Sequence, residues 1–226
     1  MIYEPKWVGW ARELQAIAQT GLHFTESQYD RERYERIREL SAEIFSECSG
    51  ESVGVISRLF ENQTGYATPK VDVRGVVFRD KKLLLVRERA DGLWTLPGGW
   101  ADVNDAPSEA VEREILEESG FKTRAECLLA VFDRSRHAHE PPFPYHVYKL
   151  FIRCRLEGGQ AAATMETSAV DFFLSTKFHA CPSLESLLNK YGFVLRCRKS
   201  RTLHRGSTEM KAKIRRNEVI CFFLGL

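Results

Sequence analysis

Along the first sixty positions apolar residues recur at helical spacing. Trp7, Trp10, Ala11, Leu14, Ile17 and Ala18 stand at i, i+3, i+4, i+7, i+10 and i+11, which predicts an amphipathic helix. Thr25 followed by Gln28 is a capping-box pattern, and it predicts a second helix. That helix carries Ile37, Leu40, Ile44 and Phe45 on one side and charged residues on the other. A shorter third helix is expected around Val55, Ile56, Leu59 and Phe60, and residues 63–69 read as a linker. A helical segment this small has little interior of its own, so its apolar stripes need a further surface, a sheet or a second copy of the chain. Core packing is the main expectation for the two tryptophans. Stacking on a flat ligand is the alternative.

From residue 70 the pattern changes to strands. Residues 71–78 and 82–87 are β-branched or leucine-rich and are joined by a charged turn at 79–81. Further strands are expected at 125–132 and 145–156, and a late one over 166–167 and 170–173. Between them, residues 99–121 read G-x5-D-x7-R-E-I-x-E-E-x-G-F. The pattern sets a glycine-rich turn before a helix, with Asp105 as N-cap, Pro107 in the first turn and Gly120 as the left-handed stop. Residues three and four apart share a helix face, so Glu114, Glu117 and Glu118 point the same way, within roughly 100° of arc. Ala110 lies on that face and leaves room before the carboxylates, whereas Glu109 and Glu112 point elsewhere, into solvent. Convergent carboxylates repel one another unless a cation sits among them, and hard divalent cations take carboxylate oxygen with substrate phosphate completing the shell. Arg113 can orient a glutamate through a bidentate pair. An ordinary acidic surface helix is the competing reading, but a solvated face has no reason to fix two glycines and two apolar sites.

This run resembles the Nudix box, G-x5-E-x7-R-E-U-x-E-E-x-G-U, where U is a bulky apolar residue; Asp105 stands where the box has glutamate. The stretch 92–99, Gly-Leu-Trp-Thr-Leu-Pro-Gly-Gly, is similar to the family's usual lead into the box. The resemblance implies an α/β fold, an α/β/α sandwich around a mixed sheet preceded by a small all-α domain. It also implies hydrolysis of a diphosphate linkage in a nucleoside diphosphate joined to another group. Glu114, Glu117, Glu118 and Gly99 would then hold Mg²⁺ or Mn²⁺, with Arg113 in support. Arg74 and Arg87 become phosphate contacts, strand-edge solvation being the alternative. His146 is a further substrate-binding candidate. With His137 and His139 it is also a candidate for acid–base work, against an ordinary polar role. Metal-assisted attack of water on phosphorus needs a proton acceptor, and Glu117, Glu166 or another later glutamate qualifies. Residues 10–22 and 29–34 resemble the N-terminal domain of a subgroup of ADP-ribose or CDP-choline pyrophosphatases associated with dimers. A homodimer acting on a small nucleotide substrate is therefore expected. Arg136 stands where ADP-ribose-type members often carry proline. The run 141–146 is either a loop over the site or a stiff lead into a strand.

Composition sets bounds on this picture. With 226 residues, 43% of them hydrophobic, the chain can bury a substantial core. It has no apolar run of membrane-spanning length and no secretion signal at its start, and its six cysteines show no C-x-x-C spacing. Reduced thiols, no membrane span and a cytoplasmic location are expected. Charge is uneven: from Lys190 onward there are 10 Lys and Arg against 2 acidic residues, although the whole chain carries only +2. The expected organisation is a helical domain over 1–62, the linker 63–69, a Nudix domain over 70–175 and an atypical basic tail over 176–226. The tail has two readings: a polyanion- or RNA-binding arm giving an RNA-directed function, or the product of a frameshift near 174–182, where family resemblance and charge change together.

Overall fold

A computed structural model describes residues 5–136 and 143–174. The described residues form two compact units, one of residues up to 71 with 132–149 and one of residues 72–131 with those from 150 onward. His137, His139, Pro141 and Pro142, and the basic stretch with its suspected frameshift, lie outside the described residues.

The first unit holds three helices, α1 (Lys6–Phe24), α2 (Gln28–Ser49) and α3 (Val53–Glu61). Val8, Ala11, Ala42, Phe45, Ile56 and Phe60 form its core, with Trp7 packed edge-on to Phe45 at 6.5 Å. The buried face of α1 is Val8, Ala11, Gln15 and Ala18, so it is rotated from the predicted stripe. Trp7 joins the core, but Trp10 is 61% and Ile17 48% exposed. The reason is close approach of α2. Ser41 Oγ donates to the Ala11 carbonyl at 2.7 Å, and Gly21 leaves no room for a Cβ against the Tyr34 ring. Small residues permit that approach, and a tryptophan in the same row would hold the helices apart. The cap of α2 also differs from expectation. Ser27, not Thr25, is the N-cap, and its hydroxyl accepts from the Asp30 N–H at 3.3 Å. Thr25 instead accepts from the Ser27 N–H, and Gln28 reaches Glu32. No described helix is long and apolar enough to cross a membrane.

The sheet contains β1 (Lys70–Arg79), β2 (Lys82–Glu88), β3 (Trp94–Thr95), β4 (Phe121–Asp133), β5 (Val147–Gly159) and β6 (Thr167–Leu174). Its order is β3-β2-β1-β5-β4, and β6 pairs with the other edge of β2, from Lys82 opposite Leu174 to Glu88 opposite Thr167. The charged turn between β1 and β2 closes through Asp80 and Lys81, both with positive φ, as a two-residue hairpin requires. Leu83, Leu84, Leu85 and Val86 are all buried, so both faces of β2 are covered. Helix α4 (Pro107–Ser119) packs Ala110, Val111 and Ile115 onto Val73, Val77, Leu84, Ile152 and Phe172. Ala110 therefore belongs to the core and does not open space before the carboxylates. The α/β class with helices leading the sheet is as the sequence implied.

Candidate active site

Helix α4 begins at Pro107, one residue later than a cap at Asp105 would give. Ala106 is the N-cap, and its N–H donates to Glu109 Oε2 at 2.9 Å; alanine has no acceptor to return the bond. Asp105 is withdrawn from capping because its carboxylate lies 3.3 Å from Arg113 Nε. Glu112 is also engaged, accepting from the Ala125 N–H at 2.7 Å and so tying α4 to β4. Neither Glu109 nor Glu112 is merely solvated. Gly120, with φ 75°, ends the helix in the left-handed conformation, as predicted.

Arg113 gathers four carboxylates. Its Nη1 lies 2.8 Å from Glu114 Oε1 and 3.2 Å from Glu117 Oε2, and its Nη2 lies 3.2 Å from Asp102 Oδ2, in addition to the Asp105 contact. Five fixed N–H donors suit such a fork. Glu118 is held separately. It is 8% exposed, and its Oε2 accepts the Gly98 N–H at 2.8 Å. Burial pushes its carboxyl up to about 7, against the opposing pull of the Gly98 bond and Arg74. Glu114 is raised as well, chiefly by burial, with Arg113 opposing. The charge of Glu166, exposed just before β6, raises both.

The glycines before the box shape this site. Gly98 has φ 142°, and a Cβ there would collide with the Val73 carbonyl. Residues 97–99 lie along β1, the Val73 N–H donating to the Gly99 carbonyl at 2.8 Å and the Gly75 N–H to Pro97 at 2.7 Å. At Gly99 a Cβ would stand 2.7 Å from Glu114 Oε2, so a larger residue there would displace that carboxylate. The Gly99 carbonyl, a predicted metal ligand, keeps one lone pair beyond its bond from Val73.

The other predicted residues lie as follows. Arg74 is no solvated edge residue: it is 15% exposed, paired through Nε and Nη2 with Asp72 at 2.8 Å each, while Nη1 donates to the Leu96 carbonyl. Arg87 is exposed and closes the loop after β2 by donating to the Gly92 carbonyl at 2.8 Å. His146 belongs to the first unit, with Nε2 3.2 Å from Asp133 Oδ1. The sequence reading passed over Asp72, Asp102 and Gly98. Asp72 carried a signal, a carboxylate in an apolar strand with arginine two residues on, hence on the same face.

Among the described residues no group of three His, Cys, Asp or Glu converges tightly enough to hold a metal ion. The expected convergence of three glutamates is thus met only in part. Glu118 feels the charge of Glu114, and Glu114 that of Glu117, but Glu117 is 59% exposed and drawn to Arg113 one turn away. The donor chemistry nonetheless fits a hard divalent cation. Two carboxylates are raised chiefly by burial, a third stands on the same helix, and a Cβ-free pocket faces Glu114.

Comparison with known proteins decides the family. A NUDIX domain model matches residues 68–187, and a model described as a UDP-X-like, N-terminal oligomerisation domain matches residues 5–60. The chain belongs to the Nudix family. YjhB of Bacillus subtilis (strain 168), assigned by name to the ADP-ribose pyrophosphatases, is 48% identical over 170 residues, 75% of this chain and 81% of its own length. A crystal structure of a UDP-X diphosphatase is 34% identical, covering 83% of this chain and 94% of that one, with a TM-score of 0.48. An ADP-ribose pyrophosphatase from Streptococcus suis 89-1591 is 32% identical, covering 61% of this chain and 97% of that one, with a TM-score of 0.49. The chain is thus a Nudix-family pyrophosphohydrolase, as its box suggested.

Proposed function

We propose that this Nudix protein is a divalent-metal-dependent hydrolase of a nucleoside diphosphate joined to a second moiety, of the ADP-ribose, CDP-choline or UDP-sugar kind. It releases a nucleoside monophosphate and a phosphorylated product. The observation that carries the reading is Glu118, a carboxylate buried on α4 and fixed by one backbone N–H, with its acidity weakened by burial. Glu114, Glu117, Glu118 and the Gly99 carbonyl would hold Mg²⁺ or Mn²⁺. When bound, such an ion neutralises phosphate charge and acidifies a water molecule.

The chain's own residues supply orientation and proton transfer. Arg113 keeps Glu114 and Glu117 in place, and the Gly98 N–H fixes the rotamer of Glu118. Asp72 clamps Arg74, whose charge favours the ionised form of Glu118. Glu166 is the proton acceptor in this scheme, because it is exposed and its charge reaches both Glu114 and Glu118. The N-terminal helices serve as a homodimer face. Trp10, Ile17 and Phe24 are 61%, 48% and 65% exposed and stand seven residues apart, a single stripe along α1.

The test is product analysis for ADP-ribose, CDP-choline, a UDP-sugar and capped RNA, with Mg²⁺ or Mn²⁺ and again in EDTA. Metal-dependent release of a nucleoside monophosphate from a diphosphate-linked small molecule is expected. Failure to cleave any of them with metal present rejects the proposal.

A further inference from the structure

The C-terminal end of α4 is closed by residues far along the chain. A helix leaves its last four carbonyls without partners of its own. The Gly120 N–H takes that of Leu116 at 2.9 Å, and the Ala162 N–H donates to the Ser119 carbonyl at 3.0 Å. The Glu118 carbonyl is taken by a side chain: Thr167 Oγ1, wholly buried, donates to it at 2.7 Å. Thr167 faces α4 only because β6 is bulged. Val170 and Phe172 pack with the apolar face of α4, so regular alternation would turn Ser168 toward the helix and Thr167 away. The register against β2 shifts instead, Arg87 standing opposite Ala169 and Glu88 opposite Thr167. Ser168 is the extra residue, and Thr167 takes its face.

The hydroxyl protons have only one consistent direction. Thr167 gives its proton to the Glu118 carbonyl, so it accepts from Thr164 Oγ1 across their 3.1 Å contact. Thr164 Oγ1 in turn accepts the Glu166 and Thr167 N–H groups at 3.3 Å each. Arg89 holds the same turn from the other side. Its N–H donates to the Glu166 carbonyl at 2.9 Å, and its Nε to the Thr164 carbonyl at 3.1 Å. Both main-chain groups of Glu166 are thus bonded, while its carboxylate is exposed and makes no bond to another described residue. Its charge reaches Glu114 and Glu118. A fixed backbone beneath an unbonded carboxylate suits a group that must meet its substrate at a set place.

We propose that Thr167 is a positioning residue for hydrolysis: its bond to the Glu118 carbonyl locks the 162–167 turn to α4 and so sets Glu166 beside the carboxylates of that helix. Thr167 has this role only if Glu166 is the proton acceptor, as the proposed function has it. The experiment compares full-length wild type, Thr167→Val, Thr167→Ser, Glu166→Gln and the double variant Thr167→Val, Glu166→Gln. In EDTA, Thr167→Val should speed amide hydrogen exchange at Arg89 and Glu166 about tenfold, and Thr167→Ser should restore protection. With Mg²⁺ and whichever of ADP-ribose, CDP-choline or UDP-glucose the wild type cleaves, Thr167→Val should lower kcat about tenfold and leave KM unchanged. In the Glu166→Gln background the same substitution should cost nothing further, whereas a mere helix cap would cost the same in both. Unchanged exchange at Arg89 and Glu166, or equal losses in both backgrounds, overturns the proposal. Full activity of Glu166→Gln, or no cleavage by the wild type, overturns it through the proposed function. Exchange that still responds to Thr167→Val marks that failure as separate. Thr164 is half-buried in the turn, so Thr164→Ala, expected to act in the same direction about fivefold, keeps the test decisive even if Thr167→Val fails to fold.

Discussion

Helix α1 leaves Trp10, Ile17 and Phe24 exposed, while α4 withdraws Glu118 to 8% exposure and Glu114 to 12%. The two helices depart from the usual allocation of side chains in opposite directions. An exposed apolar stripe is relieved by another apolar surface, and a buried carboxylate by a positive charge. Within the two helices the relief is incomplete: Arg113 serves Glu114 and Glu117 but makes no bond to Glu118, which has only the Gly98 N–H and the more distant charge of Arg74. On the proposed function, a second copy would relieve the first departure and a cation the second.

The sharpest way to break the comparison is at Glu118. Glu118→Gln should lower metal-dependent hydrolysis by about 100-fold or more, since even groups behind the ligands of a metal site cost about 10–100-fold. Metal-free stability should move the other way. The folded carboxyl is raised from 4.5 to about 7, so its contribution is full below the unfolded value and is lost as pH rises through about 7. In the metal-free protein, thermal melts should show stability falling across that window, and Glu118→Gln should flatten the fall. On α1 the counterpart is the double variant Trp10→Glu, Ile17→Glu. Sedimentation should show dimer association weakened by about 30-fold or more, with secondary structure intact. A chain that sediments identically with and without the substitutions removes the dimer face.

How far the sequence revealed these features differs between the two helices for a physical reason. The box helix was legible because Pro107 and Gly120 bound it and its carboxylates recur at helical spacing between them. The misplaced cap arose because the Asp105 carboxylate is taken by Arg113, two turns away, a contact no local rule announces. In α1 the periodicity gave the helix but not its rotation, because Gln15 is buried and Trp10 is not. That choice depends on how closely α2 can approach, a property of Ala11, Ala18 and Gly21 together. The linker was legible as a break in pattern only. Its hydrogen bonds to Gln19 and Thr20 join residues more than forty positions apart.

Smaller effects refine the comparison. Arg113→Lys keeps the charge but replaces a planar fork with a point charge, so Glu114 and Glu117 lose their shared anchor. A fall in hydrolysis of about tenfold is expected, with metal affinity reduced in parallel. In the first unit, burial alone would raise the Asp133 carboxyl. Hydrogen bonds from His146 and Ser135 outweigh burial and hold it well below the usual carboxylate range. Its stabilisation is therefore present above the unfolded value and lost as pH falls through the folded one. Asp133→Asn should lower Tm by about 3 °C at pH 7. The difference should close in strong acid, and a difference that persists there would reject the pairing as its cause.

The central claim is that α4 is built around a divalent cation at Glu118. Mn²⁺ titration of the full-length protein, followed by electron paramagnetic resonance, tests it without any choice of substrate. The account predicts saturable Mn²⁺ binding in the wild type that Mg²⁺ displaces and Glu118→Gln largely abolishes. Equal Mn²⁺ affinity in wild type and Glu118→Gln, or no saturable binding in either, would contradict it.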